Sequence, residues 1–206
     1  MFEEWKSYLS VKTNKINLAV TLFFIVIVLI ILPRFLGLME LRDGFAFRDP
    51  LLNTFEPIDI TWLTFLIIYA GLIIAVYHLA QTPNLFLLAL KVYTLTIIFR
   101  MIGMYFLPLD PPEKLIPLDD PFVQFWGSGE ILTKDLFFSG HTSTTFIFFL
   151  TAYSKNYKII FLAATILVGV LVLLQHVHYT IDVFAAPFFA FTSFEIAKRI
   201  ERKLSV

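Results

Sequence analysis

The stretch from Leu171 to Phe189 reads "LVLLQHVHYTIDVFAAPFF": two histidines and an aspartate within seven residues, between two runs of aliphatic and aromatic side chains. An ionisable group in hydrocarbon is costly, so such groups face a protein interior or a water-filled cavity and have a job there. The flanking runs read as two membrane helices, roughly 158–177 and 179–197, that meet at "HVHYTID", although that heptapeptide supplies no obvious helix breaker.

The rest of the chain agrees with a membrane origin. Of its 206 residues 58% are hydrophobic and only 16% charged, and the mean hydropathy of +0.80 is far above that of a soluble domain. Further apolar segments fall at roughly 16–37, 60–80, 85–107 and 137–153. The expected fold is therefore all-α, a six-transmembrane-helix bundle forming a single domain over 1–206. The first run follows three lysines but leads into "ILPRFLGLM" and not into a small-residue cleavage site, so it reads as a retained helix and not a removed signal peptide. Net charge is zero and basic residues are not massed on any one segment, which speaks against nucleic-acid binding. There is no cysteine, so disulfides, thiolate nucleophiles and cysteine-ligated metals are excluded.

Charge distribution orients the bundle. Lys6, Lys12 and Lys15 precede the first helix, Lys155 and Lys158 lie in the fourth-to-fifth turn, and Lys198, Arg199, Arg202 and Lys203 end the sixth. The positive-inside rule assigns this side, with both termini, to the cytoplasm. The opposite loops are longer and rich in Asp, Glu and Pro, and belong to the outer face. Arg100, "SGHT" (Ser139 to Thr142) and the His176–Asp182 stretch then converge on that outer face. Lys91 and His78 fall nearer the cytoplasmic side and read as a snorkelling lysine and an interfacial histidine. The loop from Pro108 to Lys134, with "FVQFWG", reads either as a lid beside the site or as an outer loop resting on the membrane.

His178 and Asp182 are four apart and share a face if the segment is helical; the carboxylate can then accept from one imidazole nitrogen and leave the other as nucleophile or base. The same pair would also serve as a buried stitch between helices. "SGHT" favours chemistry: Gly140 permits close backbone approach, a helix N-terminus suits phosphate, and His141 is a candidate proton donor there. Ser143, Thr144 and Thr145 are equally explained by hydrogen bonds to neighbouring helices, but His141 is not. His176 points away from His178 on a helix, which disfavours a shared metal, and it is kept as a structural or supporting residue.

Together these residues resemble the type 2 phosphatidic acid phosphatase superfamily, and within it the sphingomyelin synthase branch. The resemblance rests on Asp135-Leu-Phe-Phe-Ser139-Gly140-His141-Thr142, on His178-Tyr179-Thr180-Ile181-Asp182-Val183, and on the segment from Arg100 through Met104-Tyr105 to Leu107-Pro108. It covers roughly residues 60 to 190. It implies that His178 attacks phosphorus, that Asp182 orients it, and that His141 protonates the leaving lipid alkoxide and then deprotonates the acceptor. Arg100, Ser139, Gly140, Tyr105, Asp135 and Tyr179 would bind phosphate or substrate, without metal or other cofactor. The implied reaction moves a phospho-headgroup, such as phosphocholine or phosphoethanolamine, from a glycerophospholipid donor to ceramide, diacylglycerol or another lipid alcohol. The alternative is a lipid phosphatase or phospholipase C-like hydrolase with water as acceptor. The phosphatase branch's Lys-x6-Arg-Pro is absent, and Leu171 and Val172 stand where its Ser-Arg would be, which favours a monoanionic diester donor. Thr133-Lys134 and Pro187 depart from the synthase pattern, where Cys-Gly and a tyrosine-rich helix end are usual.

Overall fold

Runs of apolar residues that must satisfy their own backbone groups in hydrocarbon become helices, and the computed structural model, which describes residues 1–118 and 132–204, is built of them. Among the described residues there are seven α-helices: α1 (Phe2–Ser10), α2 (Lys12–Glu40), α3 (Thr61–Leu79), α4 (Pro83–Phe106), α5 (Gly140–Thr151), α6 (Lys155–Leu174) and α7 (Thr180–Leu204). No strand is described, only an isolated bridge between Phe45 and Leu109. Five of the helices, α2, α3, α4, α6 and α7, are long and apolar enough to cross a membrane. The segment expected to span at 137–153 forms the 12-residue α5. At 1.5 Å per residue it is about 18 Å long, against a hydrocarbon core of about 30 Å.

The shortness of α5 has a local cause. Residues 135–139 are drawn out of the helix by contacts of their own: Phe138 is fully buried and stacks on Phe189 of α7 with centroids 4.4 Å apart, while its carbonyl accepts from Arg100 Nε at 2.8 Å. α5 is central, packed by α4, α6 and α7. Its hydroxyls do not reach the neighbouring helices as the sequence suggested. Ser143 and Thr144 donate to the Gly140 carbonyl at 3.0 and 2.8 Å, and Thr145 to those of Thr142 and His141 at 3.0 and 3.2 Å, so the short helix satisfies its own polar groups.

One end of the bundle gathers the basic segments. Trp5 of α1 donates to the Ala80 carbonyl in the α3–α4 turn at 2.7 Å. Lys91 does not snorkel: it pairs with Glu201 of α7 and donates to Asn17 of α2 at 2.5 Å. His78, near the end of α3, is fully buried between the rings of Tyr153 and Tyr157, each 3.9 Å away, which brings the α5–α6 turn to the same end.

At the other end two loops are stitched together. Phe45 N–H donates to Pro108 O and Asp110 N–H to Phe45 O, both at 3.1 Å. The approach requires Gly44, because a Cβ there would lie 2.7 Å from the Leu109 carbonyl carbon. Beneath them Leu52, Leu109, Leu136 and Tyr179 form a buried cluster that roofs the end of the bundle where the polar motifs meet. Of the loop expected over 108–134, "FVQFWG" lies outside the described residues.

Between α2, α3, α4 and α5 runs an apolar cavity of about 470 Å³. Its walls include Leu29 and Leu36 of α2, Leu72 and Val76 of α3, and Ile97 of α4. α2 packs on α4 and α1, and α3 on α4, α5 and α6, but α2 and α3 do not pack closely on each other. Leu29, Leu72 and Val76 are all exposed along this gap.

Candidate active site

The polar turn at the head of α7 is made by two caps. α6 ends at Leu174, where His176 takes a left-handed backbone with φ of 55°. Its N–H donates to Leu173 O and that of Val177 to Val172 O, both at 2.9 Å. This is a Schellman stop with histidine at the position usually held by glycine. The His176 ring is buried edge-on against Phe55, 5.1 Å centroid to centroid, and burial holds its pKa below the usual histidine range. His176 thus terminates a helix, a role its sequence context did not reveal. His176→Gly, which suits the same backbone without strain, is expected to keep the helix stop and the fold; thermal unfolding beside wild type checks it.

α7 opens with the second cap. Asp182, in its first turn, reaches back so that Oδ2 accepts the Tyr179 N–H at 3.0 Å, the return half of a capping box. The same Oδ2 lies 3.5 Å from His178 Nδ1. The two side chains are therefore brought together by a turn followed by a helical start, and not by sharing one helix as the spacing suggested. Both are buried, and neither His178 Nδ1 nor Asp182 Oδ1 has a hydrogen-bond partner among the described residues, so the two approach without a formed hydrogen bond.

α5 begins beside them. Ser139 is its N-cap, its Oγ accepting from Thr142 N at 3.4 Å and from Thr142 Oγ1 at 3.1 Å. The Ser139 N–H donates to the Asp182 carbonyl at 3.1 Å, which ties the two motifs directly. His141, one residue into α5, faces His178 with ring centroids 6.4 Å apart at 63°, and Phe65 of α3 lies 6.3 Å from its ring.

Arg100 completes the group from α4. Besides the Phe138 carbonyl, its guanidinium pairs with Asp135. It rests on Gly140, where an added Cβ would lie 2.6 Å from Nη1 and 2.7 Å from Cζ. Arg100, Asp135, Gly140 and His141 form the polar head of the apolar cavity; His178 is not among its walls and meets it across His141. A fork of N–H donors, a helix N-terminus and the His141 imidazole at the head of an apolar cavity, with His178 behind it, suit an anionic phosphate carried on an acyl chain.

Two expected binding residues are placed elsewhere. Tyr105 is exposed, with Arg42 5.1 Å over its ring. Tyr179 is buried, stacked on Phe47 at 4.1 Å, and its hydroxyl donates to the Asp110 carbonyl at 2.9 Å, with burial pushing its pKa up to about 12. It anchors the loops that roof this end of the bundle.

Two acidic residues that the sequence did not single out hold the motifs in place. Glu40, at the end of α2, accepts both the N–H and the hydroxyl of Thr133 and the N–H of Lys134, just ahead of Asp135. Lys134 Nζ in turn pairs with Asp110 at 2.8 Å, so Thr133-Lys134 has a structural use here. Asp49 is buried in the loop after α2 and accepts four hydrogen bonds, from Thr180 N and Oγ1 at 2.6 and 3.0 Å and from Leu51 N and Leu52 N at 3.0 and 3.3 Å. Burial alone would raise its pKa; these bonds outweigh it and hold the carboxyl below its ordinary value. The only local hint is Asp49-Pro50, a turn signal.

Residues 134–199 match the PAP2 superfamily C-terminal model. The match spans Asp135, Ser139–Thr142, His178 and Asp182 and stops short of Arg100 and of the helices that wall most of the cavity. It supports the PAP2 superfamily and, with it, an activity of the lipid phosphatase or phosphotransferase type. No curated protein and no solved structure gives a match. The five apolar helices add to the PAP2 match the character of an integral membrane protein.

Proposed function

We propose that the protein is a sphingomyelin synthase-like transferase that moves a phosphodiester headgroup, such as phosphocholine or phosphoethanolamine, from a glycerophospholipid to ceramide, diacylglycerol or another lipid alcohol. The observation that carries this reading is the meeting of Arg100 and His141 at the polar head of an apolar cavity, with the His178–Asp182 pair directly behind His141. The lipid's chain lies in the cavity and its phosphate at Arg100, Gly140 and the α5 N-terminus.

His178 Nε2 attacks phosphorus while Nδ1 faces Asp182, which holds the ring and stabilises the imidazolium. The P–O bond to diacylglycerol breaks, and the proton of His141 goes to the departing alkoxide. In the second step His141 takes the acceptor hydroxyl proton, the acceptor oxygen bonds to phosphorus, and the phosphohistidine bond breaks. Asp135 on Arg100 offsets part of the positive charge, which suits a monoanionic diester better than a dianionic monoester. The domain comprises 1–206, the basic end with both termini is cytoplasmic, and the site faces outward.

Purified protein incubated with phospholipid labelled in the headgroup phosphate, with and without ceramide, is expected to give labelled sphingolipid only when ceramide is present. Label ending only in free phosphate or free phospho-headgroup would replace this reading with a phosphatase or phospholipase C-type hydrolase.

A further inference from the structure

The loop between α2 and α3 takes no part in the chemistry above, yet it reaches the head of α7. We propose that Asp49 is a positioning residue for the His178–Asp182 pair: by occupying the N–H and hydroxyl of Thr180, it leaves the Asp182 carboxylate to His178. The inference rests on the reading of His178 as nucleophile.

The first turn of a helix presents backbone N–H groups without intrahelical partners, and nearby carboxylates compete for them. At the head of α7 two carboxylates divide them. Asp182 Oδ2 takes that of Tyr179 at 3.0 Å, and Asp49 Oδ2 takes that of Thr180 at 2.6 Å. Asp49 Oδ1 also takes the Thr180 hydroxyl at 3.0 Å, so both donors of that residue are committed. The division matters because Asp182 is fully buried with Oδ1 unpartnered. A buried carboxylate oxygen gains from any donor within reach, and Thr180 stands two residues away along the chain. Without Asp49, the Thr180 donors turn toward Asp182 and draw it from His178 Nδ1, now 3.5 Å away.

Asp49 is itself held. Leu51 N and Leu52 N close a turn on its carboxylate, and Leu52 is buried in the loop cluster with Tyr179. The loop thus delivers a rigid acceptor from outside. Asp49 lies away from the apolar cavity: it lines a separate, polar-walled cavity of about 530 Å³ with His176 and Tyr179. It therefore acts through Asp182 and not on substrate.

The test follows formation of the labelled phosphohistidine adduct on full-length protein in single turnover, with lipid KM and Tm alongside. Wild type is expected to form the adduct, and Asp49→Asn to form it at least tenfold more slowly with KM within twofold. Adding Thr180→Ala to Asp49→Asn, which removes one competing donor, is expected to recover part of the rate; a packing role for Asp49 predicts a further loss. If wild type forms no adduct, the nucleophile reading fails and this inference falls with it. If wild type forms it and Asp49→Asn matches that rate, or Thr180→Ala gives no recovery, the nucleophile reading stands and the Asp49 inference alone is overturned. Should Asp49→Asn not fold, Asp49→Glu, which keeps the charge and moves it by one methylene, is read by the same rate and KM.

Discussion

His178→Ala is expected to abolish adduct formation and lower turnover by on the order of 10⁴-fold or more, the scale seen when a nucleophile or its base is removed from a concerted site. The fold should survive. The Asp182 carboxylate keeps its bond to the Tyr179 N–H, so the cap on α7 does not depend on the imidazole. The Ser139 N–H also keeps the Asp182 carbonyl, so the join between the motifs remains. Loss of adduct with little change in Tm is thus the expected pair of results. Loss of activity together with unfolding, or unchanged turnover, would contradict the role given to His178.

Gly140→Ala should be nearly as damaging for a different reason. The new methyl would sit 2.6 Å from Arg100 Nη1, inside van der Waals contact, and the guanidinium is the group that must yield. It cannot yield without cost, because Nε is committed to the Phe138 carbonyl and Nη2 to Asp135. A displaced guanidinium no longer meets a phosphate oxygen, and losing one preorganised donor of charge stabilisation costs about 10²–10³-fold in kcat. Alanine is otherwise a good residue in a first helical turn, so helix propensity does not explain a loss. Arg100→Ala should give a similar defect, and the double variant should be little worse than either single one, since both remove one interaction. Additive losses in that cycle would refute the shared cause.

The sequence made much of this legible because helices in hydrocarbon leave a direct mark. Apolar runs at 60–80, 85–107 and 158–177 became Thr61–Leu79, Pro83–Phe106 and Lys155–Leu174. The grouping of Arg100, His141, His178 and Asp182 followed from which helix ends share a side, and the structure brings those four together. Their catalytic roles are for the experiments above to decide. What escaped depends on tertiary partners. Asp135–Ser139 is as apolar as many helices, and only Arg100 on the Phe138 carbonyl and Phe189 under its ring show why α5 starts late. His176 stops α6 in a conformation usually taken by glycine, so no residue type announced the break. Glu40 and Asp49 looked like ordinary acidic loop residues, because their partners at Thr133 and Thr180 lie 93 and 131 residues away. Tyr105 and Tyr179, whose motif positions suggested substrate contact, are placed apart from that group: one lies under Arg42 and the other anchors loops.

The loose seam between α2 and α3 has a kinetic consequence. Leu29, Leu72 and Val76 line the cavity and are also exposed, so in the lipid enzyme proposed above the cavity would open sideways toward acyl chains. A substrate that slides in sideways never passes through water, and its effective concentration is a mole fraction in the plane of the bilayer. Diluting such substrate with inert lipid at constant total amount would slow turnover, whereas diluting the whole suspension with buffer would leave the rate per enzyme unchanged. Lateral diffusion and lipid composition, more than aqueous solubility, then govern how often the site is filled.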